Sequence, residues 1–440
     1  MTSMPRVAVV GSGIAGLAAA RALAPHAAVT LFEADARFGG HAHTVDVTLG
    51  GVTHGVDTGF LVFNERTYPQ LIGLFDALGV ETAPSQMSFS VRVPAARGAR
   101  AVEWSGTDLG SVFAQRGNAV RPAFWRMLAD LLRFNRLATA LAERGDDAAL
   151  DTPLGEFQDH HGFSTAFRVW YFLPMLGCIW SCPTDQMLAF PVATMIRFCH
   201  NHGLLQVSGR PRWFTVVGGA QRYVEKMIAG LADARRATAV RAVRRLPGEA
   251  GVAVSTDHGT ECYDDVVLAC HSDQALALLS DPRPVERELL SAVRWQCNRA
   301  VLHTDASVLP ARRRAWAAWN YERAAEGSRE RAGVCLHYLI DRLQPLPFDR
   351  PVIVSLNPLA SLDAAQVIGE YDYAHPVFDR AAIAAQTRLP ELQGAARTWY
   401  CGAWTRYGFH EDGLASGLAI AAALRACWRQ RGDPGLRAAA

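Results

Sequence analysis

Lysine is almost missing from this chain: Lys226 stands alone among 44 basic residues. That removes lysine from most catalytic roles and leaves arginine to carry the positive charge. An excess of one sign is missing too, since 42 acidic residues leave a net charge of only +2. Such a balance supplies no broad field for nucleic acid, which is excluded as a partner. The nine cysteines are scattered and contain no C-x-x-C pair, so they read as reduced intracellular thiols rather than a disulfide framework. Long apolar runs are absent. The stretches around Trp170–Trp180 and Leu414–Leu424 fall short of the roughly 20 residues that cross a bilayer. The first strand, at residues 6–10, starts too near Met1 to leave room for a signal peptide. The expectation is a soluble cytoplasmic protein, with contact at the periphery of the inner membrane left open.

What is present suffices for a core. Half of the 440 residues are hydrophobic and a fifth are charged, which fits two or three globular domains. Residues 6–33 read as strand, turn, helix and strand. The apolar run RVAVV suits a buried parallel strand. Gly11-Ser12-Gly13-Ile14-Ala15-Gly16 follows it, then helical spacing to Leu23, then Val29–Phe32 ending on Glu33. Gly11 allows the tight turn, Gly13 lets backbone approach a pyrophosphate, and Gly16 lets the helix pack against the sheet. The helix start at Ile14 and Ala15 offers free N–H groups to phosphate. Glu33 suits the ribose hydroxyls of an adenosine and disfavours a 2′-phosphate by charge repulsion. Ala34, Arg37 and the pair Gly39-Gly40 come next and point to FAD rather than NAD.

The run GSGIAGL…LFEADARFGGHAHT resembles the dinucleotide-binding and glycine-pair motif of the flavin amine oxidase, phytoene desaturase and protoporphyrinogen oxidase superfamily. His41 departs from it, because many relatives carry a second arginine there. The resemblance implies an α/β fold with a discontinuous Rossmann-like, glutathione-reductase-type FAD domain and an inserted α+β substrate domain. Residues 1–80, 205–275 and 395–430 then form the FAD domain, 81–204 and 276–394 the substrate domain, and 431–440 a tail. It also places Thr58, Gly59 and Val240 at the cofactor, with Val217-Gly218-Gly219 returning the chain to the FAD domain. The segment Gly402 to Gly417 would bring a helix N-terminus to the flavin. Relatives often follow the glycine equivalent to Gly402 with an acid, where this chain has Ala403; Glu411 and Asp412 are the expected substitutes, joined by Gly413 and Ser416. The strings VDTGFLVFNERTYPQL, VEWSGTDLGSVFAQRGN, FPVATMIRFCHNHGLLQV and GFHEDGLASGLA are similar to bacterial FAD-binding proteins that often accompany cyclopropane-fatty-acyl-phospholipid synthases, which makes such a synthase a candidate functional partner.

Along the rest of the chain, Tyr68–Leu78 reads as a helix closed by Gly79, residues ~80–205 as mainly helical, and 252–263 as a hairpin turning at Asp257–Thr260. Aromatic residues Trp170, Tyr171, Phe172, Trp180, Phe190, Phe198, Trp213 and Phe214 form either an apolar tunnel for an acyl chain or isoprenoid, or ordinary core. Residues 121–144 combine helical apolar spacing with five arginines, which suits either a surface helix packed on its own domain or an anionic membrane surface. His410 suits proton transfer near neutrality or a structural hydrogen bond, and Trp404 and Tyr407 either wall the flavin or fill the core. Cys178, Cys182, Cys199, His200 and His202 match no zinc spacing, so no metal is expected, and the two histidines are read as facing the substrate cavity or capping a helix. Lys226 falls in a helix and reads as a solvated face rather than as the water-holding lysine of amine oxidases.

Together these features predict an FAD-dependent oxidoreductase that takes a hydride from an apolar, possible lipid acyl or isoprenoid-like, substrate and passes electrons to O2 or another acceptor. The alternatives are a flavin amine oxidase and a noncatalytic flavoprotein that assists a lipid-modifying enzyme.

Overall fold

The computed structural model describes residues 4–95, 100–145, 152–181, 183–206, 209–324 and 334–431. Cys182, Val207 and residues 432–440 of the expected tail lie outside them. Strand Arg6–Val10 pairs in parallel with Ala28–Phe32 on one side and Asp265–Leu268 on the other. Asp233–Arg235 and Thr398–Tyr400 extend the two edges, so five parallel strands come from segments spread over most of the chain. Helix Ile14–Leu23 covers one face, and the three-stranded sheet Val240–Arg245, Val252–Thr256, Gly259–Tyr263 packs with helices Ser272–Leu278 and Pro284–Ser291 on the other, which is why RVAVV and AVTLF are buried from the second residue onward. This is the α/β, Rossmann-like architecture expected from the sequence.

Helix Ile14–Leu23 lies between this sheet and the C-terminal helix His410–Arg431. Glycine makes both contacts close. A Cβ on Gly16 would sit 1.9 Å from the Gly11 carbonyl oxygen, and one on Gly417 would sit 2.1 Å from that of Ala15. The first contact holds the helix start against the glycine turn, and the second seats the last helix on the first.

A second sheet has seven strands, in the order Val367–Val377, Arg294–His303, Ile353–Leu356, Cys335–Leu339, Trp319–Glu322, Phe89–Val93 and Val102–Ser105. Helices Pro122–Arg144, Leu173–Trp180 and Val192–Asn201 share its apolar core through Phe124, Phe134, Phe172, Leu176 and Ile196. The mainly helical expectation for residues ~80–205 is therefore wrong at its start. Thr82–Ser85, Phe89–Val93 and Val102–Ser105 are strands. Thr82–Ser85 and Phe89–Val93 pair with Trp213–Val216 and Trp319–Glu322, far away in sequence, and Val102–Ser105 folds back on Phe89–Val93 as a hairpin; these pairings override local propensity.

Asp57, at the end of strand Val52–Asp57 in a two-stranded ribbon, joins the loop of Gly218-Gly219 to Gln344. Its carboxylate accepts hydrogen bonds from Ala220 N–H, Thr44 Oγ1 and Gln344 Nε2, while its own N–H donates to Gln344 Oε1 at 2.9 Å. The glycine-pair loop and the substrate side are thus tied to one buried side chain. Gly219 lies tight against Thr44 in the same knot, where a Cβ would meet Thr44 Cγ2 at 2.3 Å.

Candidate active site

The turn after the first strand builds a cradle. Gly11 adopts φ +101°, a conformation that side chains resist, and its N–H donates to the Phe32 carbonyl. Gly13 is the helix N-cap and provides no side-chain cap, so the first helical amides remain free for a ligand. A Cβ on Gly13 would meet no protein atom within 4 Å, although Gly13 lines the cavity. Across from it, a Cβ on Gly40 would come within 3.1 Å of Gly13 Cα. Glu33 Oε2 accepts from Ser12 N–H (2.9 Å) and from Ser12 Oγ, and its Oε1 accepts from Asp35 N–H at 2.9 Å. Arg37 Nη1 donates to Gly40 O at 2.7 Å, folding the guanidinium over the glycine pair. Free amides, bare glycine backbone, a fixed carboxylate and an arginine are the donor set that an adenosine diphosphate group needs, so these residues fit FAD.

The cradle opens into a cavity of about 1730 Å³. Its wall includes Gly11, Ser12, Gly13, Ile14, Ala15, Glu33, Ala34, Arg37, Gly39, Gly40, His41, Gly59, Val240, Gly402, Trp404, Tyr407 and His410, which brings together most of the residues expected at cofactor and substrate. Gly16 supports the turn from behind. Five expectations need correction. Thr58 is buried away from the cavity, with Oγ1 bonded to Tyr373 Oη at 2.7 Å. Glu411 accepts from Gln70 and Leu71 N–H groups, both at 2.9 Å, and so caps the helix Pro69–Leu78. Asp412 turns back to its own helix start, accepting Phe409 N–H at 3.0 Å. Gly413 packs on Ile14, and Ser416 Oγ accepts Gly402 N–H at 3.1 Å. Four of the five sit on the C-terminal helix, where each residue rotates the side chain by about 100°, so neighbours of a cavity residue face elsewhere; Thr58 follows strand Val52–Asp57 and is held by Tyr373 instead.

His410 does line the cavity, but the structural alternative describes it better. Its ring stacks on Phe60 with centroids 3.8 Å apart, and Nε2 meets Tyr223 Oη at 2.6 Å. Burial pushes its pKa down to about 3, too low for proton exchange near neutrality. Trp404 is both wall and core, with Nε1 donating to Cys270 O at 3.2 Å. Tyr407 lines the cavity beside Phe198, ring centroids 6.2 Å apart. The aromatic segment divides between its two readings. Tyr171, Trp180, Phe198 and Trp213 reach the cavity, whereas Phe172 and Phe190 are core. His202 lines the cavity, and its Nδ1 pairs with the Phe198 carbonyl at 3.0 Å; His200 does not line it.

Lys226 is outside the cavity. Its Nζ donates to the Leu78 and Gly79 carbonyls, both at 2.8 Å, closing the C-terminus of the helix that Glu411 caps at the other end. It is a helix cap rather than simply a solvated face.

Sequence reasoning missed a group on the strand Val367–Val377. Tyr373 and His375 line the cavity against His41, with ring centroids 5.1 and 5.2 Å from it. Asn298 Nδ2 donates to His375 Nδ1 at 3.0 Å, which leaves the ring proton on Nε2. Burial lowers the His375 pKa to about 4 and that of His41 well below its usual value, so both rings are neutral at pH 7. The alternation Tyr371, Tyr373, His375 was the available signal, since period-two spacing puts all three on one strand face.

The family model of flavin-containing amine oxidoreductases matches residues 14–307, well over half of the chain. Solved structures of similar fold include a CLA-producing fatty acid isomerase from P. acnes, with TM-score 0.66 and 17% identity over 95% of this chain and 98% of that one. Putrescine oxidase bound to putrescine gives TM-score 0.67 and 16% identity over 96% and 99% of the two chains. Cyclohexylamine oxidase from Brevibacterium oxydans gives 0.65 and 16% over 97% and 100%. Cradle and family match agree: this chain belongs to the flavin-containing amine oxidoreductase family and is an FAD-dependent oxidoreductase.

Proposed function

We propose that the enzyme oxidises a C–H bond of an apolar, acyl-like substrate. One observation carries the reading. The cavity wall contributed by residues 87–213 includes Trp104, Leu128, Leu131, Tyr171, Met175 and Ile179, and among the described residues its one charged side chain is Arg210. An ammonium substrate entering along this wall meets no carboxylate on it, the cavity's Glu33, Asp35, Asp273 and Asp372 lying elsewhere on the lining, whereas a carboxylate or phosphate head group meets a guanidinium. FAD, when bound, accepts two electrons as a hydride and passes them to O2 or another acceptor. The chain's own contribution is to bind the apolar body by excluding water, and to hold it against the Gly402–His410 wall. Neutral His41, His375 and His410 add no charge of their own at that end of the cavity.

A second reading, oxidation of an amine, draws support from the family description. Anaerobic mixing of the FAD-loaded enzyme with acyl phospholipids or fatty acids, and in parallel with a panel of amines, separates the two. Bleaching of the flavin by acyl substrates supports the proposal. Bleaching by amines alone overturns it. A cyclopropane-fatty-acyl-phospholipid synthase as partner belongs to the same proposal, and comparing lipid profiles of cells with and without this gene tests it.

A further inference from the structure

Half of the large hydrophobic side chains that stand exposed among the described residues fall within 109–132. Val120 is 85% exposed and Leu109 80%, the two highest values, with Trp125 at 52% and Leu132 at 46%. Leu109, Trp125 and Leu132 also line the large cavity, so the exposed patch and the cavity rim are one surface. Trp125 and Leu132, seven residues apart, share a stripe of the helix Pro122–Arg144, while Phe124, Met127 and Phe134 turn into the core. The Trp125 indole donates to Ala119 O at 2.8 Å, which fixes it beside Val120, and its ring packs on Phe113 with centroids 5.4 Å apart.

Arginines frame this patch. Arg116, Arg126, Arg133 and Arg136 are exposed around it. Arg314 adds another beside Gly110, where a Cβ would lie 3.5 Å from its Nη1. Among the nearby acids, the buried Asp130 pairs with Arg126 (3.4 Å) and Arg133 (3.1 Å) and offsets one of those two charges, while Asp108 caps Ser111 N–H. Arg116 and Arg136 face no carboxylate among the described residues.

We propose that this face seats the protein on an anionic phospholipid bilayer, with Leu109, Val120, Trp125 and Leu132 in the acyl layer and the arginines at the phosphates. An apolar patch ringed by cations matches an interface whose interior is hydrocarbon and whose surface is negative. A second copy of the chain fits poorly, because self-association would bring arginine against arginine. The cavity would then open into lipid, and an acyl chain could enter without crossing water. That purpose rests on the acyl-substrate reading, while the docking surface itself rests on exposure and charge.

Cosedimentation of the FAD-loaded protein with vesicles tests it. Binding to vesicles containing phosphatidylglycerol, weakened by salt and much poorer on pure phosphatidylcholine, is expected. Leu109→Asp with Val120→Asp should weaken binding by at least about tenfold while flavin spectrum and Tm are kept. Arg116→Glu with Arg136→Glu should abolish the preference for anionic lipid. The proposal is overturned by absence of binding to anionic vesicles, by variants that bind as the parent does, or by a dimer that the same substitutions dissociate. Acyl oxidation in detergent without vesicle binding removes the docking surface alone. Vesicle binding with no acyl oxidation supports docking and removes only the substrate reading.

Discussion

Asp57 shows how much one buried carboxyl can organise. Burial outweighs its three donors and pushes its pKa up to about 7. Because the folded value lies above the ordinary carboxyl range, the neutral form favours folding. That contribution is full below about pH 4 and is lost as pH rises to about 7. Thermal unfolding of the parent should therefore lose stability across that window relative to Asp57→Asn, which does not titrate; parallel curves would refute the assignment. Two glycines of the cradle should separate in a different way. Gly16→Ala places a Cβ 1.9 Å from the Gly11 carbonyl oxygen and should impair folding, whereas Gly13→Ala meets no protein atom and should fold yet lose FAD. Circular dichroism and bound-flavin absorbance read the two effects independently.

The helix Pro69–Leu78 is held at both ends by residues far away in sequence, Glu411 at its N-terminus and Lys226 at its C-terminus. A carboxylate near helix amides and an ammonium near helix carbonyls each complement the helix dipole. Lys226→Met and Glu411→Gln should each cost about 0.5–2 kcal/mol in urea unfolding. Neither should change the flavin spectrum, and a spectral shift in Glu411→Gln would return that residue to the cofactor. This helix also marks the limit of what was legible in the sequence. Apolar spacing and Gly79 announced its existence and its stop, and the glycine turn announced the cradle, because those signals are local. Glu411 and Lys226 were visible as residues, but their targets lie more than 140 positions away, and no spacing rule reports such a contact. The same blindness hid the strands at 82–93, whose partners are distant, and it hid His375 with its partner Asn298. His410 failed differently: its identity suggested a proton carrier, and only its burial shows otherwise.

At the scale of the molecule, the cofactor cradle and the apolar chamber form one cavity, and no helix among the described residues is long and apolar enough to cross a membrane. On the acyl-substrate proposal, long chains should enter this chamber from the rim at Leu109, Trp125 and Leu132. Leu128→Trp, placed in the wall between rim and cradle, should leave flavin content unchanged and weaken binding of a long-chain fatty acid by about tenfold or more. Perturbation of the flavin spectrum by the ligand measures this; equal affinity in parent and variant would show that the chain follows another route.

The five-stranded sheet carries a consequence for how the protein is made. Its edge strand Thr398–Tyr400 pairs with Asp265–Leu268, and the buried Asp265 carboxylate accepts from the indoles of Trp399 and Trp428. During synthesis the first four segments of the sheet leave the ribosome long before these residues do. Until then Asp265–Leu268 presents an open strand edge and Asp265 lacks both indoles. The five-stranded sheet can thus be completed only near the end of translation.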